Sequence, residues 1–275
     1  EQMLYIMNPN KLKAAHHLIL KHKKLGHKII VFSDRIFPLK VLSDALDRLD
    51  KKMVERFGRG HPEILGAGRI DGSCEAWERQ KLMDSFKNNA DDHVILLSKV
   101  GDAALDMPDA NVIIQIASSG ASRMQEAQRL GRILRPKSTM ARGSEPQAFF
   151  YSLVSQDTHE MRFSTARQRY LVEQGYAFHV HPPDDTGICG EADRHGEELV
   201  RAGKEPLLFT SREEQRRLLA EIEEADESEN LGEDEDKEGK LKDADAEMKK
   251  LLDQRKKGRL HVGNSAAIRR MVLKS

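Results

Sequence analysis

Lys28–Asp50 reads KIIVFSDRIFPLKVLSDALDRLD: an apolar run of strand length, the polar pair Ser33-Asp34, then leucines at 39, 42, 46 and 49. The first part suits a strand buried on both faces, and the second a helix with one apolar side. The same alternation extends in both directions. Upstream, NPNKLKAAHHLILKHKKLG predicts a helix opened by Asn8-Pro9 and stopped by Gly26. Downstream, RGHPEILGAGRIDGSC is a glycine-rich loop around a short strand, and EAWERQKLMDSFKNN is a helix. HVILLSK, NVIIQIAS and QAFFYSLVS are further apolar strands. Asp157 and Glu160 have the spacing of a capping box for a helix running to Gln174.

Strands apolar on both faces and separated by helices define an α/β fold, a parallel sheet covered by helices on both faces. Such sheets place their ligands at the loops leaving the carboxyl ends of the strands. Those loops hold Ser33-Asp34-Arg35, Ser98-Lys99-Val100-Gly101-Asp102 and Ala117-Ser118-Ser119-Gly120. All are small, polar or charged.

The chain carries 45 basic and 45 acidic residues, but unevenly. Residues 1–180 hold 27 basic and 21 acidic groups, whereas residues 181–275 hold 18 and 24. A basic globular part with an acidic appendage suits an anionic partner for the first part only. We therefore divide the chain into a domain over 1–180 and a carboxyl-terminal extension, helical and disordered in parts, over 181–275. Within the extension, HPPDDTGICGEADRHGEE shows no period and is expected to be a linker. Ser211 and Glu214 form a second capping box ahead of a helix. From Glu221 to Glu238, 11 of 18 residues are acidic, too polar to bury a core. DADAEMKKLLDQRKKG is a helix closed by Gly258, and RKKGR has the composition of a nuclear import signal. Two cysteines without a CxxC partner indicate neither a disulfide framework nor a cysteine-rich zinc site. No apolar run reaches membrane-spanning length. The start at Glu1 reads as a fragment of a longer chain.

The most informative stretch for chemistry is QEAQRLGRILRPK, Gln125–Lys137. At about 100° per residue, Gln125, Gln128, Arg132 and Arg135 share one stripe of a helix, with Ala127, Leu130 and Leu134 opposite. Glutamate four residues ahead of an arginine would mark an ion-paired surface helix, and this stripe has none. Arginine is a planar fork that binds phosphate bidentately, and Gly131 lets a phosphate or backbone come close.

QRLGRILR resembles Q-x-x-G-R-x-x-R, motif VI of superfamily two helicases and translocases. LLSKVGDAALDMP resembles motif V and IIVFSD motif IV, while DGSCEAWERQKLMDSF resembles the glycine-then-arginine helix between them. LYIMNPNK, SRMQEAQRLGR, AFFYSLVSQDT and RQRYLVEQGY narrow the likeness to the second lobe of the xeroderma pigmentosum group B family, over residues 3–180. That resemblance implies a RecA-like lobe of an ATP-dependent DNA helicase or translocase of three-prime to five-prime polarity. It would open DNA in transcription initiation and nucleotide excision repair, in the nucleus, alongside the other subunits of transcription factor IIH. By the same resemblance, Arg132 and Arg135 reach a triphosphate across a cleft, one as arginine finger, and Gln128 orders the attacking water. Asp106 meets the ribose and Gly131 lies beside the nucleotide. Ser33, Asp34, Arg35, Ser98, Lys99 and Gly101 would contact the DNA backbone, and Arg79 would hold its helix in place. Motif V departs from the common pattern, with Ala104 where glycine is usual and the glycine displaced to Gly101. KKMVERFGRGHPEILGAG, residues 51–68, is expected to be a surface insertion.

No G-x-x-x-x-G-K-[ST] phosphate loop occurs in the 275 residues. ATP and Mg are therefore expected to be held mainly by an amino-terminal lobe of the same protein, and this chain alone to be inactive. GAGRIDG fails the dinucleotide-binding spacing, and the 11 histidines show no metal-ligand pattern. No metal ligand is expected. Phe149, Phe150 and Tyr151 are strand core. The rival reading is an ATPase-derived scaffold whose acidic tail is its working part; the intact arginine stripe favours a motor.

Overall fold

The computed structural model describes residues 2–59, 61, 63–89, 91–98, 110–117, 149–173, 179–182 and 184–229. Helix α1 (Gln2–Ile6) leads into α2 (Pro9–Lys23), where the Asn8 side chain accepts a hydrogen bond from the Asn10 N–H at 3.0 Å. Pro9 takes the first helical position, where its missing N–H costs nothing. Gly26 at φ +71° ends the turn after the helix, a conformation that a side chain would strain. The chain then enters β1 (Ile29–Ser33), α3 (Ile36–Phe57), β2 (Gly68–Ile70), α4 (Ala76–Asn88) and β3 (Val94–Ser98). Strands β4 (Val112–Ala117) and β5 (Phe149–Ser152) complete the sheet.

The sheet order is β2-β3-β1-β4-β5, and every pairing is parallel. The chain steps outward from β1 to β2 and back to β3, so right-handed crossovers put α3 and α4 on opposite faces. Every residue of β1, β3 and β4 is buried, as expected for strands covered on both sides. On α3, Leu39, Leu42 and Leu46 are fully buried, which is the stripe their spacing predicts. Phe150 and Tyr151 are buried strand core, also as read from the sequence.

Two expectations need correction. Helix α5 (His159–Glu173) exists, but Asp157 and Glu160 do not form its capping box. Thr158 Oγ1 accepts from the Glu160 N–H at 3.3 Å, and Asp157 sits at φ +58°. Glu160 turns inward instead: it accepts both 2.8 Å bonds from Lys11 Nζ and one from the Ser155 N–H at 2.9 Å. A buried lysine needs a carboxylate more than a helix end does. The second correction concerns the expected linker over 181–198. Ile188–Arg201 is a helix, α6, packed on α2. Ile188, Ala192 and Leu199 share one apolar face, with Ala192 buried and Ile188 packed on the core, and ion pairs to α2 flank it: Lys13 with Asp193 at 2.5 Å and Lys21 with Glu191 at 2.9 Å.

The last described helix, α7 (Arg212–Glu229), begins with the predicted capping box, Ser211 Oγ and Glu214 exchanging bonds at 2.9 and 3.1 Å. It packs on α1, and Leu208, Phe209, Leu218 and Ile222 join the main apolar core. At about 1.5–3 kcal/mol per fully buried apolar side chain, those four residues fasten the extension firmly. Among the described residues, no helix is long and apolar enough to cross a membrane.

Candidate functional site

The carboxyl ends of three adjacent strands come level at Ser33 of β1, Ser98 of β3 and Ala117 of β4. The β1–β4 register shifts between Phe32 and Ser33, and the Asp34 N–H still reaches the Ala117 carbonyl at 3.4 Å. Asp34 is thus held to the sheet after its strand has ended. Ser33 is fully buried; its Oγ accepts from the Arg35 N–H at 3.0 Å and donates to the Arg35 carbonyl at 2.7 Å. A serine hydroxyl has one proton, so Ser33 has none left for a phosphate. It shapes the turn, while Asp34 and Arg35 are the half-exposed members of the triplet.

Arg35 is the residue before α3, in extended conformation, with no side-chain cap on the helix. The amino-terminal end of a 22-residue helix therefore opens at this edge, with its free N–H groups and partial positive charge. Ser98 is 1% exposed, and its Oγ finds no hydrogen-bond partner among the described residues. A buried hydroxyl without a partner costs about 1–3 kcal/mol, a cost that function commonly explains. The structure thus brings together Ser33, Asp34, Arg35 and Ser98. Lys99, Gly101, Asp106, Gln128, Gly131, Arg132 and Arg135 lie outside the described residues.

The next turn along the edge, between β2 and α4, is tightly tied. Asp71 is buried, and its Oδ1 accepts from the Ser73 N–H at 2.8 Å and the Ser73 hydroxyl at 2.5 Å. Burial pushes its carboxyl up, but the Ser73 bonds and the Arg69 ion pair at 3.0 Å outweigh that and hold it below the usual range. Arg79 Nε donates to the Cys74 carbonyl at 3.0 Å, the helix-holding task expected of it. At the other end of the edge is a set that spacing did not disclose. Gln115 and Ser152 are register partners, with Ser152 Oγ 3.4 Å from Gln115 Oε1, and buried Arg167 donates to Ser152 Oγ at 3.0 Å. Its one sequence signal is Gln115 itself, a polar residue inside the apolar run NVIIQIAS. Among the described residues, no group of three or more His, Cys, Asp or Glu side chains is placed to hold a metal ion.

An all-parallel sheet with helices on both faces and polar turns gathered at its carboxyl edge defines the doubly wound α/β class, whose ligands bind at that edge. The chain matches the ERCC3/RAD25/XPB C-terminal helicase profile over residues 1–55 and 61–251, and it belongs to that family. The profile omits only 56–60 between those limits, inside the expected 51–68 insertion; Gly58 there sits at φ +85° at the end of α3. A Danio rerio relative, "General transcription and DNA repair factor IIH helicase/translocase subunit XPB", is 43% identical over 80% of this chain and 24% of its own length. The Arabidopsis thaliana subunit XPB1 is 45% identical over 74% of this chain and 25% of its own. The Saccharomyces cerevisiae subunit XPB/SSL2 is 43% identical over 80% and 22%. The chain thus spans about a quarter of the length of these relatives.

Proposed function

We propose that this chain is the second motor lobe of an ATP-dependent DNA helicase/translocase that works in the nucleus within transcription factor IIH. In this reading residues 1–180 form the lobe and 181–275 its extension. What supports it most is the coincidence of family and edge: a member of this helicase family carries Asp34, Arg35, a buried Ser98 hydroxyl without a partner among the described residues, and a helix amino terminus along one rim. Backbone N–H groups, hydroxyls and an arginine are the chemistry for phosphate contact without regard to base sequence. A motor that travels along DNA needs that indifference.

The roles proposed for single residues are those the family's motifs imply at these positions. Asp34, Arg35, Ser98, Lys99 and Gly101 line the DNA path, with Ser33 fixing the Asp34-Arg35 turn. Arg132 and Arg135 neutralise charge on the γ-phosphoryl group, Gln128 orders the attacking water, and Asp106 and Gly131 lie against the nucleotide. ATP supplies the transferred group and Mg charge neutralisation, both held mainly by an amino-terminal lobe of the same protein. A positioned arginine of this kind contributes about 10³–10⁵ in rate. Arg135→Ala in the full-length protein is therefore expected to lower DNA-stimulated ATP hydrolysis at least tenfold, with folding unchanged. A smaller loss removes the arginine-finger role.

A further inference from the structure

The amino-terminal edge of the sheet, opposite the polar turns, carries a cleft of about 670 Å³. It opens between α2, α3 and α6 and the loops that enter β2 and β3. Leu20 of α2, Leu49 and Met53 of α3, and Leu199 of α6 form apolar walls. A concavity of this size, largely apolar with a few placed polar groups, has the form of a small-molecule site. One lining residue holds a hydrogen bond in reserve. His16 is 1% exposed, and its Nδ1 accepts the Leu208 N–H at 3.0 Å. The ring proton is therefore on Nε2, and that N–H meets no acceptor among the described residues. A buried donor left so costs about 1–3 kcal/mol. One water takes up only about 30 Å³ and needs two to four polar partners, so it satisfies the donor but not the apolar walls.

The surrounding charges narrow the choice of ligand. Glu63, Asp91, Asp92 and Glu205 line the cleft against Lys23 and Lys24, so anions are repelled. Burial, with His195 and His17 adding to it, holds the His16 pKa at about 3, so the donor is a neutral imidazole. An organic cation would give up its hydration against leucines and meet a donor at the inner end. We propose that this cleft binds an uncharged, largely apolar small molecule that presents one carbonyl or hydroxyl oxygen to the His16 Nε2–H. The bound molecule touches α2, α3 and α6 together and so fastens the carboxyl-terminal extension to the lobe. The site lies at the sheet edge away from the proposed DNA path, and it does not depend on the motor reading.

Acetophenone is the probe: a phenyl ring with one carbonyl oxygen. α-Methylstyrene has the same shape with a methylene in place of that oxygen, and benzoate carries a charge. Each is titrated into the chain labelled with carbon-13 at its methionine methyls, and the Met53 signal, identified with Met53→Leu, is followed. Acetophenone should shift Met53 saturably. α-Methylstyrene should bind about tenfold more weakly, the contribution of one hydrogen bond to a buried donor, and benzoate should not bind. His16→Asn keeps an oxygen to accept the Leu208 N–H and removes the Nε2 donor, so acetophenone should lose its advantage. Leu199→Trp fills the cleft from a half-buried position, leaves His16 untouched and should abolish the Met53 shift with the circular dichroism spectrum unchanged. Equal affinity of the parent for acetophenone and α-methylstyrene, or a preference for benzoate, overturns the proposal. So does an unsaturable shift spread over many methionines, which marks partition without a site. Saturation of Met53 surviving in Leu199→Trp puts the molecule elsewhere and overturns it as well.

Discussion

Lys11 and Glu160 lie 149 positions apart in sequence, yet they form a buried bidentate pair at 2.8 Å. Burial lowers the lysine's pKa, and the facing carboxylate pulls it back up. The pair joins α2 to the first turn of α5, and Ser155, in the loop after β5, donates its N–H to Glu160 and its hydroxyl to the Tyr5 carbonyl. Removing one partner leaves the other charge buried alone, which costs about 3–5 kcal/mol. Lys11→Met or Glu160→Leu singly is expected to lower the urea midpoint strongly. The double variant Lys11→Met with Glu160→Leu should recover most of the loss, and a double-mutant cycle measures the coupling. Two single losses that simply add would show that the pair is not coupled. Sequence revealed none of this. Glu160 has the spacing of a cap, and only the tertiary fold supplies the lysine that outbids the helix end.

Three histidines of α2 are kept neutral where the helix meets its neighbours. His16 Nδ1 accepts from the Leu208 N–H at 3.0 Å, and burial, with His195 and His17 adding to it, holds its pKa at about 3. His17 and His195 meet Nδ1 to Nδ1 at 2.9 Å, an arrangement with room for one proton. Burial, His195 and Lys21 hold His17 at about 4 against the pull of Glu191. His22 bridges His27 and the Tyr151 hydroxyl, both at 2.9 Å, and burial with His27, Lys21 and His17 holds it at about 4. Each folded pKa lies below the unfolded value of 6.5, so the unfolded chain binds more protons between the two. Their stability is therefore complete above pH 6.5 and is lost as pH falls toward 4 for His17 and His22 and toward 3 for His16. At about 1.36 kcal/mol per unit and group, the loss reaches several kcal/mol. Chemical denaturation at stepped pH should give a falling midpoint across that window, and His17→Gln should flatten it. A flat profile would mean that α2 comes away without titrating.

At the level of the molecule, the extension is part of the lobe's packing. Leu208, Phe209, Leu218 and Ile222 share a core with Met3, Ile6 and Met7 of the amino-terminal helices. Ending the chain at residue 180 uncovers α1 and α2, and is expected to lower Tm by well over 10 °C, at about 2–4 °C per kcal/mol for a domain of this size. Ending it at residue 229 keeps all of those contacts and should melt well above the shorter form. Differential scanning calorimetry of the two truncations checks both statements. Equal melting of the shorter form and the parent would show that the extension packs without stabilising.

Apolar runs of strand length, leucine spacing and helix signals at Asn8-Pro9 and Ser211/Glu214 determined the parallel sheet, its helices and the edge where ligands belong. These are local consequences of periodicity and of backbone groups needing partners, so sequence alone carries them. Tertiary structure decided what α6 rests on, where Glu160 turns, why Ser33 has no proton to spare, and that His16 holds one that no described residue accepts. Each depends on which distant residue arrives to meet a charge, a hydroxyl or a ring, and no local pattern records such a meeting.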